Sequence, residues 1–148
     1  VSWYKNHDFK PDIVVRLQAT NPLQLPEDVD ACVEKLMEDP NAHASMVIAQ
    51  ARQNPQKAVK IVKDDYGDEV LVSYITESVD GLAPSNRQSH DKAYFRANIV
   101  ATRVEALYRL NSQIGNRVKF HVIPQERGLD IDSAIDFEIA EILIKKYR

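Results

Sequence analysis

Glycine is scarce in this 148-residue chain, which has only Gly67, Gly81, Gly115 and Gly128, each isolated. No pair of them lies close enough to form the glycine-rich backbone cradle that holds phosphates. Cysteine is scarcer still. Cys32 stands alone, so no internal disulfide can form, as expected of a reducing cytoplasm. Its place on the apolar side of a predicted helix makes it core filler rather than a nucleophile. The four histidines (His7, His43, His90, His121) are scattered, with no pair at metal-ligand spacing, so a zinc site is not supported. No apolar run approaches the roughly 20 residues needed to span a bilayer. Val1-Ser2-Trp3-Tyr4-Lys5 does not read as a signal peptide. Positive charge is not in excess either: the net charge of −3 gives no basic field for nucleic acid.

What is present is ordinary for a globular protein, 44% hydrophobic and 28% charged residues, enough for one domain with a real core. Asp12 to Gln18 is a β-branched run between Pro11 and Pro22 that predicts a buried, parallel strand. Pro26 opens a helix whose first turn carries Glu27 and Asp28, with Val29, Cys32, Val33, Leu36 and Met37 as its apolar stripe. Ala44 to Ala51 predicts the next strand. Lys57 to Val62 and Glu69 to Tyr74 flank a turn containing Gly67, a hairpin signal. Thr76 to Lys92 is a polar loop of unusual length. Tyr94 to Ala101 reads as extended, Val104 onward as a helix ending at Gly115, and Val118 to Ile123 as a strand closed by Pro124. Ser133 caps a last helix to about Tyr147, with Asp136 in a capping-box variant and Ile135, Ile139, Ile142 and Leu143 as its buried stripe. The pattern is a three-layer α/β sheet with a β-hairpin excursion.

Asp130 and Asp132 stand two apart just before that helix. In extended backbone they project to one side, so both carboxylates face one cleft. Hard cations such as Mg²⁺ are held by one or two carboxylates together with substrate phosphates. By spacing alone, two aspartates before a helix are more often solvated turn residues or helix-end charges.

The segment Leu129-Asp130-Ile131-Asp132-Ser133-Ala134-Ile135-Asp136-Phe137-Glu138-Ile139-Ala140-Glu141 resembles the closing signature of the cytidylyltransferase family that includes CMP-N-acylneuraminate synthetases. Asp12 to Leu23, with Leu17-Gln18-Ala19-Thr20-Asn21-Pro22-Leu23, resembles that family's strand-loop block. Arg87-Gln88 followed by Tyr94-Phe95-Arg96-Ala97-Asn98 resembles a third. The three blocks fall in the family's order and span most of the chain.

The resemblance implies a Rossmann-like nucleotidyltransferase sheet over residues 1–148, with a dimerisation hairpin and loop at about 57–92. It implies transfer of CMP from CTP to a 2-keto-deoxy sugar acid of acylneuraminate type, with pyrophosphate released, in a cytoplasmic homodimer or higher oligomer that binds neither nucleic acid nor membrane. Asp130 and Asp132 would hold Mg²⁺. Gln18 would hydrogen-bond the acceptor sugar, and Arg87, beside Gln88, would approach the sugar acid or the phosphates with its forked donors. Asn98 would line the sugar pocket. Lys57 matches either a family lysine ahead of the hairpin or a solvated hairpin residue. Bland alternatives stand for Gln18 (a strand end) and Arg87 (a loop charge).

Three departures accompany the match. Ala19 and Asn21 replace the usual proline and serine, and Ile99 replaces a glycine after Asn98, which would alter or close part of the pocket. The basic, glycine-containing first loop that cradles the triphosphate is not found. The chain also opens at Val1 on an aromatic stretch close before a strand, so the expectation is a truncated or partial form. An inactive binding or dimerising module, or another α/β nucleotide-sugar enzyme with the same fold, remain alternatives.

Overall fold

The computed structural model describes residues 9–82 and 91–147 and divides the chain into two compact units, one of residues 1–50 with 95–148, the other of residues 51–94. The larger unit is built on a four-stranded sheet in the order β1-β5-β2-β6. Its strands are β1 (Ile13–Leu17), β2 (Ala44–Gln50), β5 (Tyr94–Arg103) and β6 (Val118–Ile123). Its helices are α1 (Pro26–Glu38), α2 (Val104–Leu110) and α3 (Ala134–Tyr147).

β2 and β6 are parallel, with Met46 opposite Phe120 and Ile48 opposite Val122. β1 is antiparallel to β5, with Val15 opposite Ala101. Arg103, the last residue of β5, donates its N–H to His43 O beside the first residue of β2, so those neighbours also run in opposite directions. The carboxyl ends of β1, β2 and β6 therefore share one edge of the sheet. That edge is where open α/β sheets bind ligands.

The strand expected to be buried and parallel is instead an edge strand with an antiparallel neighbour. Its residues are half-buried or exposed, and Leu17 is 55% exposed. A β-branched run records burial of one face, and it does not report which neighbour the chain's later course supplies.

α1 lies on the sheet through Cys32 and Leu36, both wholly buried against Val47, Ala49, Ala97, Ile99, Ala101 and Ile123. Alanines on the strand side let the helix approach closely. Burial pushes the Cys32 thiol up, as suits a core residue. Met37, expected in the stripe, is 70% exposed. A second cluster joins α3 to the loops: Leu23, Leu129 and Ala140, with Ile131, Ile139, Leu143, Ile144 and Tyr147 around them. Ile135 and Ile142, expected to be buried, lie on the exposed side. α2 stops at Leu110, short of Gly115, because Asn111 takes the left-handed conformation that ends helices.

The smaller unit holds the antiparallel hairpin β3 (Val59–Lys63) and β4 (Glu69–Ser73). Asp64 Oδ1 accepts from the N–H groups of Tyr66 and Asp68, and Gly67 supplies the positive φ of 88° that the turn requires. Val59, Ile61 and Leu71 share an exposed face. Among the described residues no helix is long and apolar enough to cross a membrane.

The α1–β2 turn is fixed by Asp39, which receives Arg117 at 2.8 Å, Lys119 at 3.1 Å and the Asn41 N–H at 3.0 Å. The hydrogen bond from Arg117, then that from Lys119, holds its carboxyl well below the usual range. A depressed folded value stabilises above the unfolded value of 3.8 and is lost as pH falls below it. Urea melts between pH 6 and 2 therefore show a steeper acid loss for the wild type than for Asp39→Asn. Equal slopes would remove this assignment.

Candidate functional site

Three segments meet at the carboxyl edge. The first is the β1–α1 loop. Gln18 N–H donates to Asn98 O at 3.2 Å, which binds this loop to β5. Gln18 O accepts from Asn21 N–H at 3.3 Å and from the Gln24 side-chain amide at 2.8 Å, folding the loop back on itself. Asn21 is buried; its Oδ1 accepts Leu23 N–H at 3.2 Å, and its Nδ2 is buried with no partner.

The second segment is the middle of β5. Asn98 has φ of +56°, a left-handed conformation that a non-glycine residue seldom adopts inside a strand. Ile99, expected to alter or close the pocket, points elsewhere. It is 1% exposed and packs in the main core with Cys32 and Leu36. The unusual backbone falls on Asn98 itself.

The third segment follows β6. Pro124 ends the strand and a 3₁₀ turn, Gln125–Gly128, brings Arg127 inside. Arg127 is buried and forms an ion pair with the carboxylate of Asp28, also buried, while its Nε donates to Leu23 O at 3.2 Å. Arg and Asp are found at such depth only when paired. Asp28, in the first turn of α1, also accepts Leu25 N–H at 3.0 Å, and His121 Nε2 lies 3.6 Å from its other oxygen. The chain then runs through Leu129, buried with Leu23, to Asp130 and Ile131. Ile131 N–H donates to Thr20 O at 2.9 Å, joining the third segment to the first.

Asp130 is half-buried, and its Oδ1 is buried with no hydrogen-bond partner. Asp132 is exposed. The N–H groups of Asp132 and Ser133, at 3.3 and 2.9 Å, and the Ser133 hydroxyl at 2.6 Å all donate to Asp136 Oδ2. This arrangement opens α3 and leaves the two preceding carboxylates out of the cap. Among the described residues no group of three or more His, Cys, Asp or Glu side chains could hold a metal. A cation here would have Asp130 and Asp132 as its protein ligands, with phosphate and water completing its shell.

The structure thus brings Gln18, Asn98 and the Asp130–Asp132 segment together. Lys57 ends a 3₁₀ turn, Pro55–Lys57, in the smaller unit and is exposed. Arg87 and Gln88 lie outside the described residues. The sequence marks Asn21 only as a departure from the family's loop and Asp28 only as a charge favouring the positive end of α1, and it gives Arg127 no role. A lone arginine in a polar turn carries no burial signal of its own.

No protein-family model matches the chain. It is similar to post-translational flagellin modification protein B of Campylobacter coli, 26% identical over 136 residues. That alignment covers 91% of this chain and 54% of that protein, so the chain spans about half the length of this curated relative. Among solved structures it superposes on CMP:2-keto-3-deoxy-manno-octonic acid synthetase complexed with CTP, with a TM-score of 0.55. That match covers 96% of this chain and 65% of the other at 17% identity. The fold is nucleotidyltransferase-like. At this identity the likeness speaks for the fold, and chemistry has to be argued from the residues.

The turn before Asp130 has little room for change. A Cβ on Gly128 would stand 2.5 Å from Ala49 Cβ, an atom fixed to the β2 backbone. Gly128→Ala is therefore expected to cost about 1–3 kcal/mol through overpacking, read as a lower urea midpoint at unchanged m. An unchanged midpoint would show that the turn can move away.

Proposed function

We propose that this chain forms part of a sugar-activating cytidylyltransferase, which joins CTP to a 2-keto-deoxy sugar acid of acylneuraminate type. The observation that carries this reading is the meeting of Gln18, Asn98 and the Asp130–Asp132 segment at the carboxyl edge of the sheet. It is tied by the Gln18 N–H to Asn98 O and Ile131 N–H to Thr20 O bonds. The matched relatives and the sequence blocks around these same residues support it.

In this reading a hydroxyl of the sugar acid attacks the α-phosphate and pyrophosphate leaves. Gln18 hydrogen-bonds the acceptor sugar, and Asn98 shapes the wall beside it. The sequence resemblance assigns Arg87 and Gln88 to the carboxylate of the sugar acid or the phosphates, and Lys57 to catalysis. Asp130 and Asp132 hold Mg²⁺, which supplies charge neutralisation at the phosphate oxygens. The buried, partnerless Oδ1 of Asp130 supports this fit, since such an oxygen is costly unless a ligand or cation relieves it.

The enzyme acts in the cytoplasm as a homodimer. The exposed apolar face of Val59, Ile61 and Leu71 supports pairing through the hairpin, since a two-stranded sheet is marginal by itself. A second reading, an inactive binding or dimerising module, is supported by the same exposed apolar face of the hairpin.

Pyrophosphate release separates the two. The proposal expects release from CTP only when Mg²⁺ and an acylneuraminate-type acid are both present. It expects Asp130→Asn and Asp132→Asn each to lower kcat/KM at least about 100-fold, since even residues behind metal ligands cost 10- to 100-fold. Binding of CMP-sugar without turnover would favour the inactive module. Full activity in Asp132→Asn would remove the metal assignment.

A further inference from the structure

We infer that the buried Asp28–Arg127 ion pair is a positioning device for Asp130, setting the divalent-cation affinity of that carboxylate from a distance. The inference rests on the metal reading above. Asp130 Oδ1 accepts no hydrogen bond. The direction of the carboxylate therefore depends on how the backbone around it is anchored.

That backbone has three anchors. Arg127 lies three residues upstream and grips both Leu23 O and Asp28 from inside the protein. Leu129 is buried against Leu23 and Ala140. Ile131 N–H reaches Thr20 O. The first two anchors converge on Leu23, so one forked side chain holds the β1–α1 loop and the Asp130 segment in a common frame.

The fork matters more than the charge. A guanidinium can serve a carbonyl and a carboxylate at once, which a single ammonium does less well. Asp28 is in turn fixed to the start of α1 by accepting the Leu25 N–H. The frame thus extends from α1 through Arg127 to Asp130, and neither charged partner needs to touch the cation.

The test titrates Mn²⁺ alone into the full chain, followed by its electron paramagnetic resonance signal, alongside hydrogen exchange at the Ile131 amide. Asp28→Asn/Arg127→Met removes both charges together, and an asparagine there still accepts the Leu25 N–H. Such paired replacement often leaves stability near the wild type. The inference expects that variant to melt close to the wild type while binding Mn²⁺ 10- to 100-fold more weakly, with faster Ile131 exchange. Affinity within about twofold of wild type, with unchanged exchange, would overturn it.

If the double variant does not fold, Arg127→Lys decides. An intermediate loss of affinity supports the fork, and wild-type affinity with wild-type exchange overturns it. If the wild type itself binds no Mn²⁺, the metal reading fails. Positioning is then judged by Ile131 exchange alone, where equal protection in wild type and variants overturns it.

Discussion

The ion pair between Arg127 and Asp28 is the contact on which the arrangement of this edge depends. Two charges removed from water cost several kcal/mol each, and their attraction roughly offsets that when geometry and extra hydrogen bonds are good. Here the extra bonds exist: Leu23 O accepts from Arg127 and Leu25 N–H donates to Asp28. The pair adds little net stability compared with an apolar pair of the same shape. What it adds is direction, because a guanidinium fork accepts few alternative placements of its partners.

Hydrophobic packing alone would leave that direction loose. The cluster of Leu23, Leu129 and Ala140 holds the two loops against α3, but apolar contacts tolerate sliding. At the far end of α3, Tyr147 donates its hydroxyl to Glu126 at 2.9 Å, in the turn beside Arg127. That bond pushes the Tyr147 pKa up, its cause being the anionic acceptor. The turn is therefore gripped from both sides: by α1 through Arg127, and by α3 through Glu126. The two charges on either side of one peptide unit do different work, one buried and one at the surface.

Much of this was legible in the sequence, and the reasons differ by element. α1, β2, β6, the hairpin and α3 follow from periodicity, prolines and caps, because those signals are local. The partner of β1 was not legible. β5 enters the sheet only after the hairpin unit, so its place between β1 and β2 depends on a return of the chain that no window records. Ile135 and Ile142 misled for a related reason. α3 is apolar around much of its surface, and only the positions of Leu23 and Leu129 decide which side is covered. Asp130 was singled out by its motif, while Arg127, three residues away, was not. Burial of an arginine is a property of its partner, and that partner lies 99 residues back along the chain.

Three of the places where local rules fail lie where function is proposed. Asn98 holds a left-handed backbone within a strand, Asn21 keeps an amide nitrogen unpaired in the interior, and Asp130 keeps an oxygen unpaired. Each costs free energy that an apolar or regular substitute would avoid. Elsewhere in the larger unit Arg103 serves the carbonyls of Leu36 and Ala42 and Thr102 serves Gln113 O, while the buried Ser45 hydroxyl on β2 has no partner. An amide donor and a carboxylate acceptor left unmet on adjacent loops support the proposed ligand site. The Asp28–Arg127 frame keeps those unmet groups in place instead of letting them relax toward water.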